Sequence, residues 1–313
     1  MAETDQRPAA SNLQYDVIIV GGGPAGLNAA LILGRCRRRV LVVDSGKPRN
    51  AVSRGVHGFL TRDGTLPSEI RRIARDELAA YPNVEIRDGE IVAARCHGDW
   101  FEVSECAGER FSARKLLLAT GLLDDLPDIP GFAELYGNGV YNCPYCDGWE
   151  HRDKPIAVYG PGERCLGLAL EMTLWSRDMV LLTDGPADLA PKDRERLDGL
   201  GIRIVEDKLA RLEGDDGGLR AVHFETRAPL AREALFLNYG EREGSELVRM
   251  VGCELTDKGT VETRSYERTN VRGLYVAGDA SRRVQFAIVA AGEGAMAAFA
   301  INNEMLKEDL PRD

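Results

Sequence analysis

The segment Cys143-Pro144-Tyr145-Cys146-Asp147 sets two thiols three positions apart, with a carboxylate directly after the second. Residues so spaced close a reversible disulfide, supply half of a metal site, or merely occupy a turn. A zinc site needs two further ligands at short spacing. His151 is near, but the next cysteine is Cys165 and no second Cys-x-x-Cys exists, so no metal is expected. A redox pair needs a small loop between the thiols, a way to lower a thiolate pKa, and a proton donor. Pro144 stiffens the loop. Asp147 is placed to shuttle the proton, its plain alternative being a solvated surface acid.

A redox disulfide needs an electron carrier, and the chain on either side carries two nucleotide-type patterns. Tyr15 to Val20 is a short apolar run of the kind a buried parallel strand gives. Gly21-Gly22-Gly23-Pro24-Ala25-Gly26 follows, then a helical stretch, then a second buried strand ending at Asp44. This is a βαβ unit with G-x-G-x-x-G between strand and helix, and an acid twenty-three residues beyond the first glycine. Gly21 makes the tight turn. Gly23 lets a pyrophosphate approach the helix N-terminus, whose free N–H groups favour it. Gly26 lets helix and strand pack closely, and Asp44 accepts from ribose hydroxyls. The pattern recurs at "KPIAVYGPGERC", where Tyr159, Gly160 and Gly162 precede a second helix and a strand that ends at Asp184.

Composition bounds the remaining choices. The chain has 313 residues, 34 glycines and a net charge of -10, with no basic block, so nucleic acid and anionic membrane are poor partners. Residues 1–12 read as a short flexible tail without an apolar core, not a signal peptide. The apolar stretch Val284 to Ile301 is interrupted by Gln285, Glu293 and glycines, so it reads as a buried helix and not a membrane span. A cytoplasmic, reducing compartment is expected. Five of the seven cysteines (Cys36, Cys96, Cys106, Cys165, Cys253) are then scattered buried hydrophobes and not a disulfide framework.

The ordered set Gly21-x-Gly23-x-x-Gly26, Ala119-Thr120-Gly121, Cys143-Pro-Tyr-Cys146-Asp147 and Gly278-Asp279 resembles the low-molecular-weight thioredoxin reductases and their relatives. The likeness spans roughly residues 13 to 307. It implies an α/β fold of two Rossmann-like, three-layer ββα dinucleotide-binding domains, the second inserted into the first. An FAD domain would take residues 13–123 and 241–313. An inserted NAD(P)-type domain, 124–240, would carry the Cys-x-x-Cys. The resemblance further implies a homodimer, and a domain rotation that swings the disulfide between flavin and partner. By it, Cys146 meets the flavin and Cys143 exchanges with the partner disulfide. FAD would be held by Gly21, Gly23, Pro24, Ala25, Gly26, Asp44, Thr120, Gly121, Gly278 and Asp279, with Gln285, Phe286 and Ala287 opening the last helix at the isoalloxazine. The stretch "GKPRNAVSRGVHGFLTRDG" looks more like the subgroup with the gliotoxin-type dithiol oxidases, where Asn50 and His57 would line the flavin; a structural histidine is the plain alternative for His57.

The second glycine pattern departs from the thioredoxin reductases. They place an arginine cluster after the next strand for the NADPH 2′-phosphate, whereas this chain has no arginine there before Arg194. Glu163 puts a negative charge in a loop meant for pyrophosphate, and Asp184 suits a free ribose diol but opposes a 2′-phosphate. NADPH is therefore doubtful as a cofactor. Relatives lacking these arginines include ferredoxin-linked reductases, dithiol oxidases and diflavin-linked disulfide oxidoreductases, so a second FAD over Tyr159, Gly160, Gly162 and Asp184 is one expectation and a degenerate site another. Three functions follow: a flavin-dependent oxidoreductase acting on a thioredoxin-like protein or a small dithiol without NADPH; an ordinary NAD(P)H-dependent thioredoxin reductase; and a flavin-binding redox sensor, against which the intact Cys-x-x-Cys-Asp argues.

Overall fold

The computed structural model describes residues 13–257, 259–281 and 284–310; the expected tail, 1–12, lies outside the described residues. The chain forms two compact units. One comprises Met1–Ala51, Ser68–Leu123 and Arg242–Asp313, the other Val52–Pro67 and Asp124–Glu241.

In the first unit, β1 (Tyr15–Val20) leads through α1 (Pro24–Arg35) into β2 (Val40–Asp44), and α2 (Pro67–Leu78) into β3 (Val84–Asp88). Alternate side chains of β1 enter two cores. Val17 and Ile19 pack beneath α1 and the last helix, while Ile18 and Val20 join the core on the other face. A strand buried on both sides has to be apolar, which is why Val17 to Val20 read "VIIV", while Tyr15 and Asp16 at the start of the strand are only half-buried. The antiparallel meander β4 (Ile91–Cys96), β5 (Phe101–Glu105) and β6 (Arg110–Leu118) completes the order β3-β2-β1-β6-β5-β4. β6 forks: Arg110 to Ala113 pair with β5, and Leu116 to Leu118 pair in parallel with the strand Leu274–Val276.

The last helix, Ala287–Asp309, runs eight residues past the apolar stretch that announces it. It buries Ala290, Ala297, Ala298 and Ile301 but leaves Ile288, Met296, Phe299 and Leu306 exposed, so only one face is core. It lies very close to α1: a β-carbon at Gly294 would stand 2.0 Å from the carbonyl oxygen of Ala25. Among the described residues no helix is long and apolar enough to cross a membrane.

The second unit has a five-stranded parallel sheet. Its order is Arg203–Val205, Met179–Leu182, Ile156–Tyr159, Ala234–Leu237, Val140–Tyr141. An antiparallel set, Leu209–Asp215 with Gly218–Phe224 and Leu230–Ala231, packs its apolar residues with Phe132 and Tyr159 on one face. The helix Gly162–Met172 covers the other face through Cys165, Ala169 and Met172.

The scattered cysteines depart from expectation. Cys165 is buried and Cys253 half-buried, but Cys36, Cys96 and Cys106 are exposed. Each exposed thiol sits where an element ends: Cys36 caps α1, Cys96 closes β4, and Cys106 begins the turn after β5.

Candidate active site

Cys143 and Cys146 are joined in a disulfide, with Cα atoms 5.3 Å apart. The local chain makes this natural. Cys143 caps a one-turn helix, Pro144–Asp147, and Pro144 fills the first helical position, where its missing N–H costs nothing. The amides of Cys146 and Asp147 both donate to the Cys143 carbonyl at 3.2 Å, which folds the second sulfur back over the first. Gly148 is required next, since a β-carbon there would come within 2.5 Å of the Pro144 carbonyl and 2.8 Å of the Trp175 ring. Tyr145 meets the edge of Trp175 at 5.7 Å between centroids, and exposed Trp149 stacks under Arg152.

Asp147 is half-buried beside the disulfide. Burial pushes its carboxyl up from an ordinary 3.8 to about 7; His57 opposes the rise and Glu150 adds to it. A carboxyl that is part acid and part carboxylate near neutrality suits a proton shuttle. His151, the one nearby histidine that zinc would need, has been pushed down to about 4 by burial and by Lys154, and its ring packs against Tyr141. Among the described residues no group of three or more His, Cys, Asp and Glu is arranged to hold a metal ion.

The residues expected to hold FAD fall in the first unit, apart from His57. Gly21 has φ +111°, and a β-carbon on it would meet the Ala119 carbonyl oxygen at 2.2 Å, so the first glycine loop and Ala119-Thr120-Gly121 share one crevice. A β-carbon on Gly26 would come within 1.9 Å of the Gly21 carbonyl oxygen. A β-carbon on Gly23 would meet nothing within 4 Å beyond its chain neighbours, which leaves open the approach to the N-terminus of α1, with Pro24 and Ala25 in its first turn. Such a cradle fits a dinucleotide pyrophosphate.

Asp44 ends β2 almost wholly buried. Burial disfavours its charge, but the Gly46 amide and Arg71 overcome this and hold the carboxyl below the usual range. Arg75 reaches it at 3.1 Å. Neither arginine carries a sequence signal, since both come from α2, far along the chain. Gly22 escaped notice too: a β-carbon there would stand 2.3 Å from the Asp44 carboxylate.

Asp279 and Gln285 are brought together by Arg49, whose Nη1 donates to both, at 3.0 and 2.5 Å. Asn50 follows Arg49 in the turn Arg49–Val52. Phe286 caps the last helix and Ala287 begins it. Gly278 donates its amide to buried Glu293 at 2.8 Å. His57 lies in the second unit, 3.7 Å from Glu150.

The second glycine loop borders a cavity of about 500 Å³. Tyr159, Gly160, Gly162 and Asp184 all line it, together with Glu163, Arg164, Asp188 and Tyr239. The Tyr159 ring is only 3% exposed and packs on Phe132, whereas Tyr239 is 39% exposed. Cys165 stands where a third glycine would, its thiol pushed up to about 11 by burial. Asp184 adopts φ 54° and accepts the Leu209 amide at 2.7 Å. Arg194 is already paired with Glu206 at 2.7 Å.

Comparison with known proteins agrees with this layout. Residues 15–294 match the family described as pyridine nucleotide-disulphide oxidoreductase. A thioredoxin reductase (tcpT) of Claviceps purpurea is 34% identical, over 84% of this chain and 86% of its own. The crystal structure of HlmI superposes with TM-score 0.90 at 37% identity, covering 94% of this chain and 93% of that one. An oxidoreductase from Agrobacterium tumefaciens gives 0.88 at 32%, covering 95% and 100%. With both dinucleotide-type units and the Cys-x-x-Cys disulfide in place, the chain belongs to the pyridine nucleotide-disulphide oxidoreductase family, in its thioredoxin reductase-like branch.

Proposed function

We propose that this protein passes electrons between FAD and the Cys143–Cys146 pair, and between that pair and a small dithiol or a thioredoxin-like protein, without NADPH as its usual donor. The observation that carries the last point is the charge of the second cavity. Three carboxylates, Glu163, Asp184 and Asp188, line it against one guanidinium, Arg164. Arg194, the first arginine after that strand, is engaged by Glu206. Losing one Arg–phosphate contact costs about 1.5–3 kcal/mol, and an opposing carboxylate adds to that. A loss of at least roughly a hundredfold in NADPH affinity follows. Calorimetric titration of the FAD-loaded protein tests this: binding of NADPH at low micromolar concentration would remove the basis of the reading and restore the NADPH-dependent thioredoxin reductase.

A second FAD in this cavity is supported by exposed Tyr239, a ring on which a flat ligand stacks. Heat release followed by chromatography distinguishes about two FAD per chain from about one. The expected homodimer is supported by the exposed Ile288, Met296, Phe299 and Leu306 on the last helix.

Bound FAD supplies a two-electron carrier; the protein supplies the thiol–disulfide exchange. A substrate thiolate attacks Sγ of Cys143, and the Cys143–Cys146 bond breaks. Cys146 leaves with the electron pair and takes the proton of Asp147. The Asp147 carboxylate then removes the proton of the substrate's second thiol, which attacks the substrate sulfur of the mixed disulfide. Cys143 departs as a thiolate and is protonated from water, balancing the proton lost by the first substrate thiol. The substrate is oxidised by two electrons and the protein disulfide reduced by two. The same steps in reverse reduce a partner disulfide.

A further inference from the structure

Every turnover written above passes through a state in which Asp147 is a carboxylate in a half-buried position, where a charge needs an opposite one. The second unit builds such a group from a segment far away in sequence. Residues 55–65 form a tight hairpin: the Val56 amide donates to the Thr65 carbonyl at 2.8 Å, and Gly64 returns a bond to Val56 at 2.9 Å. The imidazole of His57 is wrapped by this hairpin. A β-carbon on Gly55 would come within 3.1 Å of Nε2, and one on Gly64 within 3.8 Å of Cε1. Asp63, fixed by accepting the Gly58 amide at 2.8 Å, lies 3.8 Å from Nδ1. Glu150, three residues beyond Asp147, lies 3.7 Å from Nε2.

We propose that His57 is a positioning residue for the disulfide chemistry: held between Asp63 and Glu150 by the hairpin, it supplies the counter-charge for the carboxylate that Asp147 becomes when it gives its proton to Cys146. This rests on the proton-shuttle reading of Asp147. The electrostatics have the matching signs, since His57 favours the carboxylate and Glu150 disfavours it. Tyr141 in the same unit senses both Asp147 and Glu150, and Arg54 acts on Tyr141 in the opposite sense. The His57 side chain is 23% exposed, so solvent screens it only in part.

The test uses the FAD-loaded protein, dithiothreitol as the probe, and rapid alkylation with mass-spectrometric counting of Cys143 and Cys146 thiols, a readout independent of the flavin. Disulfide reduction is followed from pH 5.5 to 9. Wild type should show a limb near neutrality that Asp147→Asn removes. His57→Gln should move that limb to higher pH by about half a unit or more, and Glu150→Gln to lower pH. His57→Arg, which keeps the charge, should return it towards wild type. A purely structural role for His57 would lower rates without opposite shifts in the two Gln variants. A limb that depends on Asp147 but stays fixed in His57→Gln, or moves the same way in both Gln variants, overturns the proposal while leaving the shuttle intact. A limb that survives Asp147→Asn overturns both.

Discussion

Asp147→Asn should make the protein more stable at alkaline pH while slowing it. Burial raises the carboxyl from an ordinary 3.8 to about 7. Between these values the folded protein keeps a proton that the unfolded chain has released, so wild-type stability falls as pH rises through this window and levels off above about 7. Each pH unit is worth about 1.4 kcal/mol, so from pH 5 to pH 7 the wild type loses up to about 3 kcal/mol that the neutral Asn variant does not lose. For a chain of this size that is on the order of 5–10 °C in melting temperature. Thermal melts of both FAD-loaded proteins at pH 5 and pH 8 measure it. The variant should gain on wild type between the two pH values, while its exchange with dithiothreitol slows by roughly one to four orders of magnitude. A melting difference that does not change with pH would refute the argument that burial holds Asp147 near neutrality. A variant with unchanged exchange would refute its role as the shuttle.

Cys146→Ser should abolish electron exchange between flavin and disulfide, whereas Cys143→Ser should leave a thiolate beside oxidised flavin with a long-wavelength charge-transfer band; absorbance spectra and single-turnover kinetics check both. Gly22→Ala places a β-carbon 2.3 Å from the Asp44 carboxylate, so it should displace that group and weaken FAD retention at least about tenfold on a desalting column. Gly294→Ala drives a β-carbon to 2.0 Å from the Ala25 carbonyl, and should cost about 1–3 kcal/mol by prising the last helix from α1, read by denaturant unfolding.

Much of this was legible because nucleotide loops and a Cys-x-x-Cys impose local patterns. Val17 to Val20 had to be apolar on every residue because both faces of the strand are buried there, and Gly21 and Gly26 had to lack side chains because carbonyl oxygens stand where a β-carbon would go. The partners of those groups were not legible. Arg71 and Arg75 reach Asp44 from a helix that begins twenty-three residues later, and Arg49 joins Asp279 to Gln285 across 230 and 236 positions. No spacing rule records such meetings, since they are set by how α2 and the last helix dock on the sheet. His57 shows the same limit: nothing in its motif announces that the hairpin places it against Glu150, ninety-three positions later. At the second loop the pattern marks Tyr159, which lines the cavity but is almost wholly buried; Tyr239, the exposed ring there, lies eighty residues on and carries no such pattern.

That the flavin exchanges electrons with thiols through the Cys143–Cys146 pair and not with NADPH is the central claim, and anaerobic stopped-flow mixing tests it most directly. The FAD-loaded protein is mixed in parallel with micromolar NADPH and with a dithiol, and the flavin band is followed. The account predicts bleaching by the dithiol, dependent on Cys146, and little or none by NADPH on the same timescale. Rapid and complete bleaching by micromolar NADPH would contradict it.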